Sequence, residues 1–131
     1  MTSADLLLLI QGGNSLKVDL STFLLNLPVR TNILEASETL ITSGVVATNL
    51  LVSKVKALTA GAAYTLAAGT HGMEKQIVCH TVEVTTPTAV ITISSGAGFS
   101  TVTFNAQGDS VHLKNVDGLW YILGSNSAVI A

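Results

Sequence analysis

Charge is what this chain has least of. Only 11% of its 131 residues are charged, where a typical globular protein carries roughly 25%. The formal charge is −2, and Lys54 and Lys56 form the longest basic cluster. Recognition of nucleic acid through its phosphates therefore has no electrostatic footprint in the sequence. One cysteine, Cys79, rules out an internal disulfide. Long apolar runs are missing too. The opening stretch Leu6–Ile10 is five residues long and follows Asp5 with no positively charged start. It reads neither as a secretion signal nor as a membrane span, which needs about 20 residues.

What is present is apolar and small. Hydrophobic residues make up 48% of the chain although aromatics account for only 5%. A single domain of this size must wet most of its surface, and few charges are available to do it. Either the abundant Thr and Ser supply the polar surface, or copies of the chain cover one another, as in obligate oligomers with core-like interfaces.

Short β-type runs punctuated by Gly, Asn and Ser dominate, with little helical periodicity. Residues 63–67, 75–84, 88–93 and 99–105 read as strands, with a break at Pro87 and a flexible Gly-rich connection at 94–98. Residues 106–109 turn the chain into the stretch 108–124, and 127–131 can add an edge strand. Near the N-terminus a strand, a Gly-Gly-Asn turn and a second strand are expected, followed by one helical turn after Ser21 or Thr22 that Pro28 stops. Residues 33–58 fit strand or helix, and their Val, Ile and Thr content favours strands. The composition shift near 57–64 divides the chain into an N-terminal anchoring or assembly segment, 1–58, and a C-terminal β-sandwich, 59–131. The expected class is all-β: an antiparallel, jelly-roll-like sandwich or small barrel with a strand-rich N-terminal assembly segment.

Candidate chemistry is sparse. His71, Glu74, Cys79 and His80 include zinc-ligand types, but their spacing is not that of a zinc finger or a helical metalloprotease. On a strand Cys79 and His80 point to opposite faces, so Cys79 reads as a core residue, His80 as a sheet-face residue, and His71 and Glu74 as turn residues. Glu35 and Glu38 lie in a polar segment and read as solvated rather than as a glycosidase pair. The Gly-rich stretches lack a phosphate loop's Lys and following helix, and no nucleophile elbow is present. The chain is expected not to be an enzyme and to need no metal or cofactor.

Aromatics concentrate in GDSVHLKNVDGLWYILG, residues 108–124. Asp117-Gly118 is a hairpin signal. A two-residue loop sets Asn115 opposite Trp120, and a four-residue loop sets Leu113 there. Either register puts Val111, Leu113, Trp120 and Ile122 on one face and His112, Lys114, Tyr121 and Leu123 on the other. Trp120 is then a core plug, and His112, Lys114 and Tyr121 are candidate surface contacts.

The stretches AYTLAAGTHGMEKQIV (63–78) and TVTFNAQGDSVHLKNVDGLWYILG (101–124) resemble segments of virion surface proteins of tailed bacteriophages. The shared order is a Thr-Leu strand, a Gly-Thr turn and a Lys-containing strand, then a Thr-Val-Thr-Phe strand, a Gly-Asp turn and a Gly-x-Trp-Tyr ending. SLKVDLSTFLLNLPV (15–29) is similar to the openings of such chains. His112 departs from the pattern, standing where a simpler β residue is common. The resemblance implies a non-catalytic capsid decoration (cement) protein or a head-fibre or tail-fibre knob. Such proteins are usually trimeric. The first would bind the major capsid protein on the virion surface, and the second would grip a host glycan. Leu6, Leu7, Leu8, Leu9 and Ile10, with Phe23, Leu24 and Leu27, are the candidate contacts with neighbouring subunits or the shell.

Overall fold

A computed structural model describes residues 7–11, 14–18 and 37–131. The chain divides into two compact units, Met1–Asn32 and Ile33–Ala131. In the first, β1 (Leu7–Gln11) and β2 (Asn14–Val18) form an antiparallel hairpin in which Leu7 pairs with Val18 and Leu9 with Leu16. These are the two strands expected there. The helical turn expected at 21–28 lies outside the described residues.

The second unit is an all-β sandwich, and no helix occurs among the described residues. Its strands are β3 (Ser37–Leu40), β4 (Gly44–Val46), β5 (Val52–Ala57), β6 (Ala62–Leu66), β7 (Glu74–Val82), β8 (Ala89–Ile93), β9 (Thr101–Phe104), β10 (Ser110–Val116), β11 (Leu119–Asn126) and β12 (Val129–Ile130). One sheet has the order β11-β10-β7-β5-β3, and the other β12-β9-β8-β6-β4.

The pairing differs from the antiparallel, jelly-roll-like arrangement expected. β3, β5 and β7 are mutually parallel neighbours, as are β4, β6 and β8. From β3 to β7 each strand is followed by one in the opposite sheet. The chain thus coils, and every second strand returns beside its predecessor pointing the same way. Parallel strands need a crossover connection, and here the strand in the facing sheet provides it. From β9 onward the pairing is antiparallel: β9 on β8, β12 on β9, β10 on β7 and β11 on β10. Residues 37–57, which composition had grouped with the N-terminal segment, contribute three of these strands. The anticipated boundary near residue 58 falls inside the sandwich, between β5 and β6.

Alternation along each strand builds the core. Val55 and Ala57, Ile77 and Cys79, and Val111 and Leu113 point inward from the first sheet. Tyr64, Leu66, Ile91, Val102 and Phe104 meet them from the second. Tyr64 ties the layers together: its hydroxyl donates to the Lys56 carbonyl at 2.7 Å and accepts from the Lys56 N–H at 3.2 Å. Burial raises that phenol's pKa above its ordinary value.

Candidate functional site

The hairpin of β10 and β11 carries the candidate contact residues. Asp117 and Gly118 both have positive φ, 52° and 88°, the pattern of a type I′ two-residue turn. Val116 pairs with Leu119 and Asn115 with Trp120, so the shorter of the two loops occurs. Val111, Leu113 and Trp120 are buried and Ile122 packs against the core. Trp120 is fully enclosed. Its Nε1 donates to the Ala67 carbonyl at 2.9 Å. Its backbone N–H donates to Ser95 O at 2.8 Å, and its carbonyl accepts from Ala97 N at 2.9 Å. The loop at 95–97 thereby covers the outer edge of β11 at this point. Gly69 makes room for the ring, since a Cβ there would stand 2.5 Å from Cζ2. Trp120 is a packing element, as the strand alternation implied.

The opposite face of the hairpin is open. Lys114 and Tyr121 are cross-strand partners, and Lys114 also pairs with Glu74 on β7. The row Tyr121, Lys114, Glu74 thus runs across three strands, with His112 two residues along β10. Lys114 Nζ donates to Glu74 Oε1 at 2.9 Å, and His112 Nε2 lies 3.4 Å from Oε2. These two partners, Lys114 foremost, hold the Glu74 carboxyl below its ordinary pKa. All three expected contacts, His112, Lys114 and Tyr121, are therefore together, with Glu74 linking two of them. Alternation also exposes Leu119, Tyr121 and Leu123 along β11, the last at 57%. Val116 and Leu119 are partners at the hairpin tip, so the apolar row continues onto β10. The bulge between His112 and Leu113 lies at the other end of the row.

The other sequence candidates are dispersed. His71 sits in an exposed turn, with Nδ1 3.1 Å from both the backbone N–H and the carboxylate of Asp117. His80 is exposed on the outer face of β7, and Cys79 beside it is buried, its thiol pushed up in pKa by that burial. No group of three or more metal-ligating side chains occurs among the described residues. Leu7, Leu8, Leu9 and Ile10 lie on β1, whose side-chain surroundings are not described. Leu6, Phe23, Leu24 and Leu27 lie outside the described residues, as does Glu35.

Glu38 departs from the solvated role expected of it. Its Oε1 accepts from Ala47 N at 2.8 Å and from the Ser53 hydroxyl, and stands 3.6 Å from Lys75 Nζ. Lys75 itself is wholly buried and donates to the carbonyls of Ala47 and Leu50. Desolvation pushes its pKa down to about 8, against the opposing pull of Glu38. The signal was available in the strand: Lys75, Ile77 and Cys79 alternate, and two apolar residues facing inward take the lysine with them. The pair binds β3 and the 47–50 turn to β7. It is a structural clip, because no open surface reaches the ammonium.

The chain matches no known protein family, no curated protein and no solved structure.

Proposed function

We propose that this protein is a phage virion structural protein, a decoration (cement) protein that binds and stabilises the head shell as a β-rich homotrimer. The observation that carries the reading is the apolar row on β11. Leu119, Tyr121 and Leu123 are exposed side by side on an edge strand and rimmed by the Glu74, Lys114 and His112 cluster. Contiguous apolar surface with a polar rim marks a macromolecular contact. The rim charges are already matched within the chain, so a partner need not supply counter-charges. The sequence resemblance supplies the partner, the major capsid protein. The low charge content supports covering by further copies of the chain. In this reading the protein acts by burying surface rather than by chemistry, and it has no catalytic residue, metal or cofactor.

The test is Leu123→Asp, assayed by sedimentation with virion heads lacking the protein. Wild type co-sediments with them, and the variant stays in the supernatant. Undiminished binding by a folded Leu123→Asp chain overturns the assignment of this surface.

A second reading has its own observation. Tyr121 is 43% exposed beside Glu74, Lys114 and His112, and an aromatic face flanked by hydrogen-bonding groups suits a sugar ring. A receptor- or carbohydrate-binding head-fibre or tail-fibre knob would use that face. Binding to host cells that free sugar abolishes, together with indifference to heads, would select it.

A further inference from the structure

The turn between β6 and β7, residues 67–72, is tied down by little. None of its residues is buried, and only Gly69 is partly covered. At its start the Ala67 carbonyl accepts from Trp120 Nε1, and at its end the Gly72 N–H donates to Asn115 O at 2.8 Å. Thr70 bonds to Met73, which closes the turn on itself. His71 reaches outward, with Nδ1 3.1 Å from the Asp117 N–H and carboxylate, and both side chains are mostly exposed. Gly72 has a φ of 89°, a conformation that glycine adopts without steric cost. Beneath the middle of the turn lies Asn115, fully buried. Its Oδ1 accepts from the Gly118 N–H at 3.0 Å, which fixes the carboxamide and turns Nδ2 the other way. Nδ2 has no hydrogen-bond partner, alone among the buried side-chain polar atoms of the described residues. Gly69 is its roof: a Cβ there would lie 2.9 Å from Nδ2 and 2.5 Å from Trp120 Cζ2.

We propose that residues 68–71 are a lid that opens on its own, hinged at Ala67 and Gly72, while the sandwich stays folded. The closed form carries a buried donor without an acceptor, which is costly. Lifting Gly69 lets water reach Nδ2 and removes that cost. Opposing the motion are the packing of a glycine backbone on the indole edge and the latch from His71 to Asp117. No buried side chain leaves the core when the lid lifts, because the lid contains none. Segments with few buried contacts and exposed hydrogen bonds are those that open locally. Ala67 and Gly72 keep their bonds to Trp120 and Asn115, so the ends of β6 and β7 stay in place. The inference stands apart from the docking and glycan readings, since it concerns the inner side of the hairpin and not its exposed row.

The experiment is hydrogen exchange of the full chain, followed by NMR in buffer and in low urea. The Asn115 Nδ2 protons report on the lid. The Cys79 N–H, which donates to Asp109 O at 2.8 Å from the middle of β7, reports on opening of the sandwich. The Asn115 protons are expected to be protected about a hundredfold less than the Cys79 N–H. Low urea should leave their protection unchanged, because a local opening exposes little surface. His71→Ala removes the latch from an exposed position. It is expected to speed Asn115 exchange about fivefold, the effect of one exposed hydrogen bond, with Cys79 exchange unaltered. Equal protection at the two sites, with the same dependence on urea, overturns the lid. Fast Asn115 exchange that His71→Ala leaves as it was overturns the latch as what holds the lid shut.

Discussion

Replacing Lys75 by methionine probes the interior most sharply. The ammonium is enclosed, held by the Ala47 and Leu50 carbonyls and by Glu38, and its pKa is pushed down to about 8. An unfolded lysine titrates near 10.4. At pH 7 both states carry the proton, and the folded state bears the full cost of burying it. Between about pH 8 and pH 10.4 the folded chain releases the proton while the unfolded chain keeps it, so stability rises with pH in that window. At about 1.4 kcal/mol per pK unit the whole gain is about 3 kcal/mol. Cys79 and Tyr64, whose pKa values burial raises, work in the opposite direction as pH climbs. A wild-type curve alone would therefore mislead. The difference between wild type and Lys75→Met cancels those two contributions and isolates the lysine. Urea unfolding followed by Trp120 fluorescence, at pH 7 and at half-unit steps to pH 10.5, reads that difference. Wild type should gain on the variant by about 3 kcal/mol across the window. Parallel pH curves for the two proteins would refute the burial of a charged lysine.

Four further outcomes follow from the packing. Glu38→Gln leaves the Lys75 ammonium buried without its counter-charge, and should cost about 3–5 kcal/mol at pH 7 by urea titration. Trp120→Ala empties the largest buried side-chain site and unpairs the Ala67 carbonyl. Calorimetry should show a loss of about 3–5 kcal/mol, and an unchanged melting temperature would contradict the plug role. Gly69→Ala forces a Cβ into the Trp120 ring, and should lower stability by about 1–3 kcal/mol; no change would mean that the ring has room. Glu74→Gln breaks a half-exposed pair and should alter stability by less than about 1 kcal/mol in the same titration. A larger loss would show that the cluster holds the hairpin together.

Local chemistry made the C-terminal hairpin legible. Asp-Gly dictates its turn, and alternation then decides that Trp120 goes in and Tyr121 goes out. The same logic found most of the later strands, each a β-branched run between turn residues. Strand pairing was not legible. Short runs such as GVV (44–46) and AVITI (89–93) carry no mark of a parallel or antiparallel neighbour, and their parallel partners on β6 are far from them in sequence. That is why a coiling path with parallel strands replaced the expected antiparallel one. Residues 37–57 fall with the N-terminal segment by the composition shift near 57–64, since Ser, Thr and Asn recur through them. Much of that polar content lies in the tight connections that pass the chain between sheets. The inward side of Glu38 is hidden in the sequence for a related reason: a four-residue strand has too little alternation to show which side faces in. Lys75 shares the parity of Ile77 and Cys79 along β7, and that alternation alone places it on the inner face.

Sedimentation of the purified protein with virion heads that lack it tests the central claim most directly. A saturable number of copies per head should be bound, and high salt should not release them, because the contact row is apolar and its rim charges are internally paired. A chain that remains in the supernatant at every concentration contradicts the decoration reading.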